Sequence, residues 1–431
     1  MKLYLTFLLV IIGTGLKAQI PIPAKPQTSP VALMNGVAHL GDGKVIDNSI
    51  VAFENGKLSI VVDARSAKVD LTGYEVVNID GKHVYPGLIL PNSAVGLVEI
   101  GAIKATLDYD EVGILNPNVR SLIAYNADSE IPPALRFNGV LLAQVVPSGG
   151  LISGSSSIMM MDGWNWEDAA YLMDDGIHVR WPEMLTTPRW RMGETEYKPD
   201  KNYEKHTKIL DEFFSDAAAY SKKIAPADKN LKLEAMRPVL DGKVNLYIHA
   251  DGMKEIIDGV NLAQKYNVKK IVIVGAADAW YVRKLLKENN IPVLLTDVHR
   301  LPQRDDEDVD MPYKLPGLLT KEGILVGLTH ESPSNSRNLG FYAGTAATYS
   351  LGKEEALKLV TSNTAQILGI DNKTGMLVAG LDANLVVSDG DLLDMRSNNV
   401  THAYIQGRKL NLESKHQWLY QKYKEKYEEG N

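Results

Sequence analysis

Nine histidines, at positions 39, 83, 178, 206, 249, 299, 330, 402 and 416, are the side chains of this 431-residue sequence best suited to metal ligation or proton transfer. The closest two stand 14 residues apart, so the local patterns His-x-His and HExxH do not occur. Any metal site must be gathered from distant strands. The absence of cysteine removes thiolate ligands, a thiol nucleophile and disulfides. Histidine, carboxylates, serine and backbone groups remain for chemistry.

Other polar clusters offer weaker signals. Ser148-Gly149-Gly150 through Ser153-Gly154-Ser155-Ser156-Ser157 carries many N–H and O–H donors and can cradle an anion, although a glycine turn closing a strand is the expected reading. Between Glu99 and Arg136, Arg120 and Arg136 are candidates to grip a substrate carboxylate, and Asp108 and Glu111 are candidate bases; surface ion pairs are the bland alternative. Trp164 and Trp166 stand at the start of a predicted helix that Asp162 could cap, and packing against the barrel is expected over stacking on a ligand. The acidic run from Asp305 to Asp310 lacks the glycine and distal glutamate of an EF-hand and reads as a solvated loop.

Composition narrows the setting. With 46 basic and 53 acidic residues the net charge is −7, and no basic block is present, which argues against nucleic acid as a partner. Apolar residues at 45% and charged residues at 23% are the balance of a globular protein long enough for one barrel-sized core. Lys2 followed by the apolar run Leu3–Leu16 and Lys17-Ala18-Gln19 reads as a signal peptide over residues 1–18, so export to a periplasmic or extracellular location is expected, with no transmembrane span after its removal.

The elements that must position the chemistry change texture along the chain. Residues 19–84 read as short strands, with Asn55-Gly56 marking a hairpin. From 85 to 370, short unalternated runs such as Val244–Ile248, Lys270–Val274 and Gly323–Leu328 are separated by helical segments over Met253–Tyr266 and Trp280–Asn289, the pattern of strands buried on both faces. A TIM-like (β/α)8 barrel in an α/β fold follows. Tyr197–Lys232 reads as a charged helical insertion, and Lys353–Gly369 as one helix. Late strands over 371–412 resemble the first ones, so both chain ends are expected to form a small composite β-sandwich; 413–431 is a charged helical tail.

Gly81-Lys-His83-Val-Tyr-Pro86-Gly87-Leu-Ile89, Thr361–Gly369 and Gly380-Leu-Asp382-Ala-Asn384-Leu-Val-Val resemble the amidohydrolase superfamily, closest to its imidazolonepropionase-related branch. The resemblance implies metal-assisted hydrolysis of non-peptide carbon–nitrogen bonds in a small molecule. It places metal ligands on a His-x-His after the first barrel strand, on the fifth and often the sixth strand, and on an aspartate of the eighth. Here Asn92 and Ala94 stand at the His-x-His, His249 at the fifth strand, and His330, followed by Glu331, where the aspartate belongs. His249, His330, Glu331 and Asn92 are thus the candidate catalytic residues; two histidines and a glutamate could bind zinc, but the expected reading is that His249 and His330 are relics of a site that no longer holds metal. The alternative to a hydrolase is a non-catalytic pseudoenzyme, a binding or partner subunit in a homo- or hetero-oligomer with an intact amidohydrolase.

Overall fold

The computed structural model describes residues 22–186, 196–223, 228–302 and 306–428. The signal-peptide reading of residues 1–18 falls outside them. The chain opens with β1 (Val31–His39), β2 (Val45–Glu54), β3 (Lys57–Asp63), β4 (Glu75–Asn78) and β5 (His83–Pro86). Asn55 (φ 50°) and Gly56 (φ 78°) turn β2 into β3, as the Asn-Gly pair predicts, because both central residues of a type I′ turn need positive φ.

Barrel strands follow: β6 (Leu88–Ser93), β7 (Val140–Val145), β8 (Ile152–Met160) and β9 (Ala170–Arg180). A two-residue hairpin, β10 (Leu185–Thr186) with β11 (Lys198–Pro199), precedes helix α1 (Tyr203–Ser221). Then come β12 (Asn245–Ala250), α2 (Met253–Lys265), β13 (Ile271–Gly275), α3 (Ala279–Glu288), β14 (Val293–Leu295), α4 (Met311–Lys321) and β15 (Val326–Leu328). In α2 the buried Ile256, Val260 and Ala263 recur at helical spacing and lay one face on the sheet. Helix α1 buries Leu210, Phe213, Phe214 and Ala217 and joins β9 to its parallel neighbour β12. The segment expected as an insertion is therefore the crossover of a strand–helix–strand unit.

These eight strands form one nearly closed sheet in the order β15-β14-β13-β12-β9-β8-β7-β6. It departs from a regular (β/α)8 barrel at one strand: β8 is antiparallel to both β7 and β9. The connection from 146 to 151 is too short for a crossover helix and turns back through Gly149 (φ 85°) and Gly150 (φ 63°). A Cβ on Gly149 would lie 1.8 Å from Asp110 Oδ1, so only glycine fits there. The serine-rich run is thereby split, with Ser148 in the turn and Ser153–Ser157 inside β8.

Closure between β6 and β15 uses a third segment. The expected helix over 353–369 breaks into α5 (Lys353–Lys358) and α6 (Ser362–Leu368). The break frees two carbonyls: Leu359 accepts from Leu328 N–H at 3.1 Å and Val360 from Ile89 N–H at 2.9 Å. The Thr329 hydroxyl also donates to the Pro91 carbonyl across the seam.

The chain ends with β16 (Leu385–Ser388), β17 (Val400–Ile405), β18 (Arg408–Lys409) and α7 (Lys415–Glu428), which buries no residue. Strands from both ends join one hydrogen-bonded sheet, β18-β17-β16-β5-β1-β2-β3 with β4 on β1, which folds back on itself so that Phe53 of β2 meets Tyr404 of β17 at 4.8 Å between ring centroids. Its core includes Leu33, Phe53, Leu385 and Tyr404. Asp162, just past β8, pins this sheet to the barrel by pairing with Arg136 at 2.6 Å and Arg408 at 2.9 Å. Asn165, not Asp162, caps the short helix Trp166–Ala169, accepting from Asp168 N–H. No helix among the described residues is long and apolar enough to cross a membrane.

Candidate functional site at the barrel mouth

At the end of β6 the pairing with β7 slips between Leu90 and Ser93, and Asn92 takes φ 47°. Such a bulge re-aims a side chain at the cost of local strain. Asn92 N–H is satisfied by Gln144 Oε1 at 3.0 Å. Ala276 (φ 57°) and Asp297 (φ 49°), just past β13 and β14, are also left-handed, so unusual backbone gathers at the C-terminal rim where barrel sites form.

Beneath the rim lies a buried polar chain. Asp175 on β9 accepts from Ser156 Oγ at 2.8 Å, Gln144 Nε2 at 2.7 Å and Tyr247 OH at 2.7 Å. Asn245 Nδ2 donates to the Tyr247 oxygen at 2.9 Å. His178 Nε2 sits 2.8 Å from Ser156 Oγ, and His178 Nδ1 sits 2.9 Å from His249 Nε2. Burial pushes the Asp175 carboxyl up to about 6, against the pull of its three donors. Burial, reinforced by the Arg180 charge, holds both imidazoles well below their ordinary value. The ring tautomers follow from donor counting. With Asp175 ionised, the single Ser156 proton points at it, so His178 Nε2–H donates to Ser156 and His178 Nδ1 accepts from His249 Nε2–H. His249 Nδ1 is then a bare lone pair at the mouth. A proton on Asp175 permits every link to reverse, ending in an Nδ1–H on His249.

At the mouth itself, Glu331 Oε1 is approached from three other strand ends. Asn92 Nδ2 lies 3.5 Å away, Arg180 Nη1 3.9 Å and His249 Nδ1 4.0 Å. The neighbouring His330 turns the other way: Nδ1 accepts from Ser332 N–H at 3.0 Å, Nε2 faces Asp297 Oδ1 at 3.2 Å, and its ring stacks on Tyr342. Asp251, past β12, accepts from Ala277 N–H at 3.2 Å, and burial raises its carboxyl to about 6.

Of the residues singled out from sequence, Asn92, His249 and Glu331 converge and His330 stands beside them. Arg120 does not reach the mouth: its Nε and Nη2 donate to Asp174, at 2.9 and 2.7 Å, six residues down β9 from Arg180. Arg136 is buried in its pair with Asp162 at the opposite end of the barrel. Asp108 and Glu111 lie exposed on the loop after β6. Sequence reading missed Gln144, Asp175, Arg180 and Tyr247, and it gave His178 and Ser156 no place at the mouth. The available signal was a polar residue inside a strand run, as Gln144 is within Val140–Val145, and the alternation of His178 and Arg180 with Ile177 and Val179.

The family model for the amidohydrolase family matches residues 232–410. An amidohydrolase structure from Thermotoga maritima superposes with TM-score 0.79 over 88% of this chain and 99% of that one, at 23% identity. The chain thus has the amidohydrolase fold, and its residues 232–410 carry the family's sequence pattern. More distant folds include a prolidase complexed with N-methylphosphonate-L-proline (15% identity, TM-score 0.55, 89% and 100% coverage). An adenosine deaminase from Xanthomonas campestris with bound zinc is similar at 14% identity and TM-score 0.51, over 89% and 93% of the two chains. No curated protein matches the sequence.

Within this fold, the chain departs from a metal-binding donor set. Among the described residues, no three His, Asp or Glu side chains form a group able to hold a metal ion. His249 Nε2 is taken up by His178, His330 Nδ1 accepts from Ser332 N–H while its Nε2 faces Asp297, and positions 92 and 94 offer an amide and a methyl. These residues do not fit the metal that the fold family implies.

Proposed function

We propose that this chain is an amidohydrolase-fold protein whose barrel mouth binds a small polar ligand and has given up the family's metal-assisted hydrolysis. The observation that carries the reading is the 2.9 Å contact between His249 Nε2 and His178 Nδ1, which turns the best-placed ligand candidate into a link of a buried hydrogen-bonded chain. Asn92 and Ala94 at the expected His-x-His support it. The apolar run and cleavage-like residues over 1–18 support export, to the periplasm or beyond the cell. In that setting the chain serves as a binding protein, alone or as partner subunit of an intact amidohydrolase.

Elemental analysis of the purified chain, with assays on amide, lactam and dipeptide substrates before and after zinc addition, tests the reading. The expected outcome is no stoichiometric metal and no turnover. Stoichiometric zinc that disappears in His249→Ala sinks it. A second reading keeps a hydrolase acting on non-peptide carbon–nitrogen bonds, because an ionised Asp175 leaves His249 Nδ1 as a free base at the mouth. Metal-independent turnover abolished by both His249→Ala and Asp175→Asn would establish that one instead.

A further inference from the structure

We infer that Glu331 is an internal stand-in for a ligand carboxylate, and that Asn92 and Arg180, bordered by His249, form a cradle for a small carboxylate-bearing molecule. The inference rests on the reading of the mouth as a ligand site and names the class of ligand. One oxygen, Glu331 Oε1, lies within 4.0 Å of polar atoms from β6, β9 and β12, although Glu331 itself follows β15. It therefore marks the point on which four strand ends converge, where a barrel ligand sits.

The contacts are too long for a satisfied carboxylate. Charge-assisted hydrogen bonds run about 2.7–2.9 Å, whereas these are 3.5, 3.9 and 4.0 Å. Glu331 leaves that gap open. Its side chain is 54% exposed, so nothing packs it in place. Arg180 is under-used in the same way: its Nε is buried without a hydrogen-bond partner, while Nη1 makes only the long approach to Glu331. A buried donor left unmatched costs stability, and a planar guanidinium is matched by a carboxylate taken in two parallel bonds. A free carboxylate, untethered, can settle against Arg180 and the Asn92 amide once Glu331 swings outward to solvent.

The test is calorimetric titration of the whole chain with acetate and with succinate at fixed ionic strength, acetamide and succinamide serving as neutral counterparts. Carboxylates are expected to bind and the amides not. Glu331→Gln and Glu331→Ala, which remove the competing charge, should bind acetate about tenfold tighter, and Arg180→Gln about tenfold weaker, the factor equivalent to one charge-assisted hydrogen bond. Arg180→Lys keeps the charge, protects against misfolding as the cause of any loss, and should fall between. Equal binding of the amides, failure of any form to bind carboxylate, or unchanged affinity in either Glu331 variant or in Arg180→Gln overturns the cradle. Each of those results with a metal-free protein leaves the broader reading standing, whereas stoichiometric zinc removes that reading too.

Discussion

The barrel's two halves solve the same packing problem with different materials. From β12 to β15 the chain repeats strand, helix, parallel strand, and β13, β14 and β15 bury only apolar residues and glycine. From β6 to β9 it doubles back through an antiparallel strand and buries Gln144, Ser156, Asp175 and His178 in the sheet, with Arg136 and Asp162 at the base. The family match, beginning at residue 232, spans the regular half and leaves the irregular one uncovered. Where a strand needs only apolar volume, as β13, β14 and β15 do, repeated local units preserve a family pattern. A half built on matched polar partners is specified residue by residue, and it is there that a site can diverge.

The contrast is broken or sharpened most strongly by Arg136→Ala. It leaves Asp162 buried with half its cationic partners, and chemical denaturation should register a loss of about 3–5 kcal/mol. A cost under about 1 kcal/mol would mean that ionic pairing does not hold the irregular half. Leu294→Ala, in the fully buried β14, should cost about 3 kcal/mol through cavity formation. That cost should not vary between about pH 5 and 7, since no titrating group is involved.

The third prediction concerns pH. Asp175 binds its proton more tightly in the folded chain, at about 6, than at the ordinary 3.8. Its contribution therefore favours folding at low pH and is lost as pH rises through 6. Between about pH 5 and 7 this group should subtract about 1.4 kcal/mol from wild-type stability, a slope that Asp175→Asn lacks. Identical slopes in the two proteins would show that the carboxyl is not held protonated. The smallest effect belongs to the seam: Thr329→Val removes the hydroxyl bond to Pro91 and should cost about 1 kcal/mol. A loss of several kcal/mol there would mean that the side chain, and not Leu359 and Val360, closes the barrel.

Much of the fold was legible because periodicity reports burial. Met253–Tyr266 and Trp280–Asn289 anticipate α2 and α3 within a residue or two, and Asn55-Gly56 fixes its hairpin. Strand direction was not legible: the run Ser157–Met161 looks alike in a parallel or an antiparallel neighbourhood, and the short glycine turn before it was the only clue. Of the site, Asn92, His249 and Glu331 were reachable through the family's own ligand positions. His178 and Arg180 were not, since their role depends on β9 lying between β8 and β12, a pairing that no local pattern encodes. Arg120 and Arg136 misled for the converse reason: a carboxylate already waits for each, far away in sequence.

The carbonyls of Leu359 and Val360 also impose an order of assembly. The edges of β6 and β15 have no backbone partner in each other and find one only in this late segment, some 270 residues after Ile89. During synthesis the barrel must wait, open along one side, until nearly the whole chain has emerged. Contacts this distant in sequence form slowly and leave sheet edges able to pair with other chains. A truncation before residue 359 should therefore aggregate where one after residue 370 has a closed barrel to protect it.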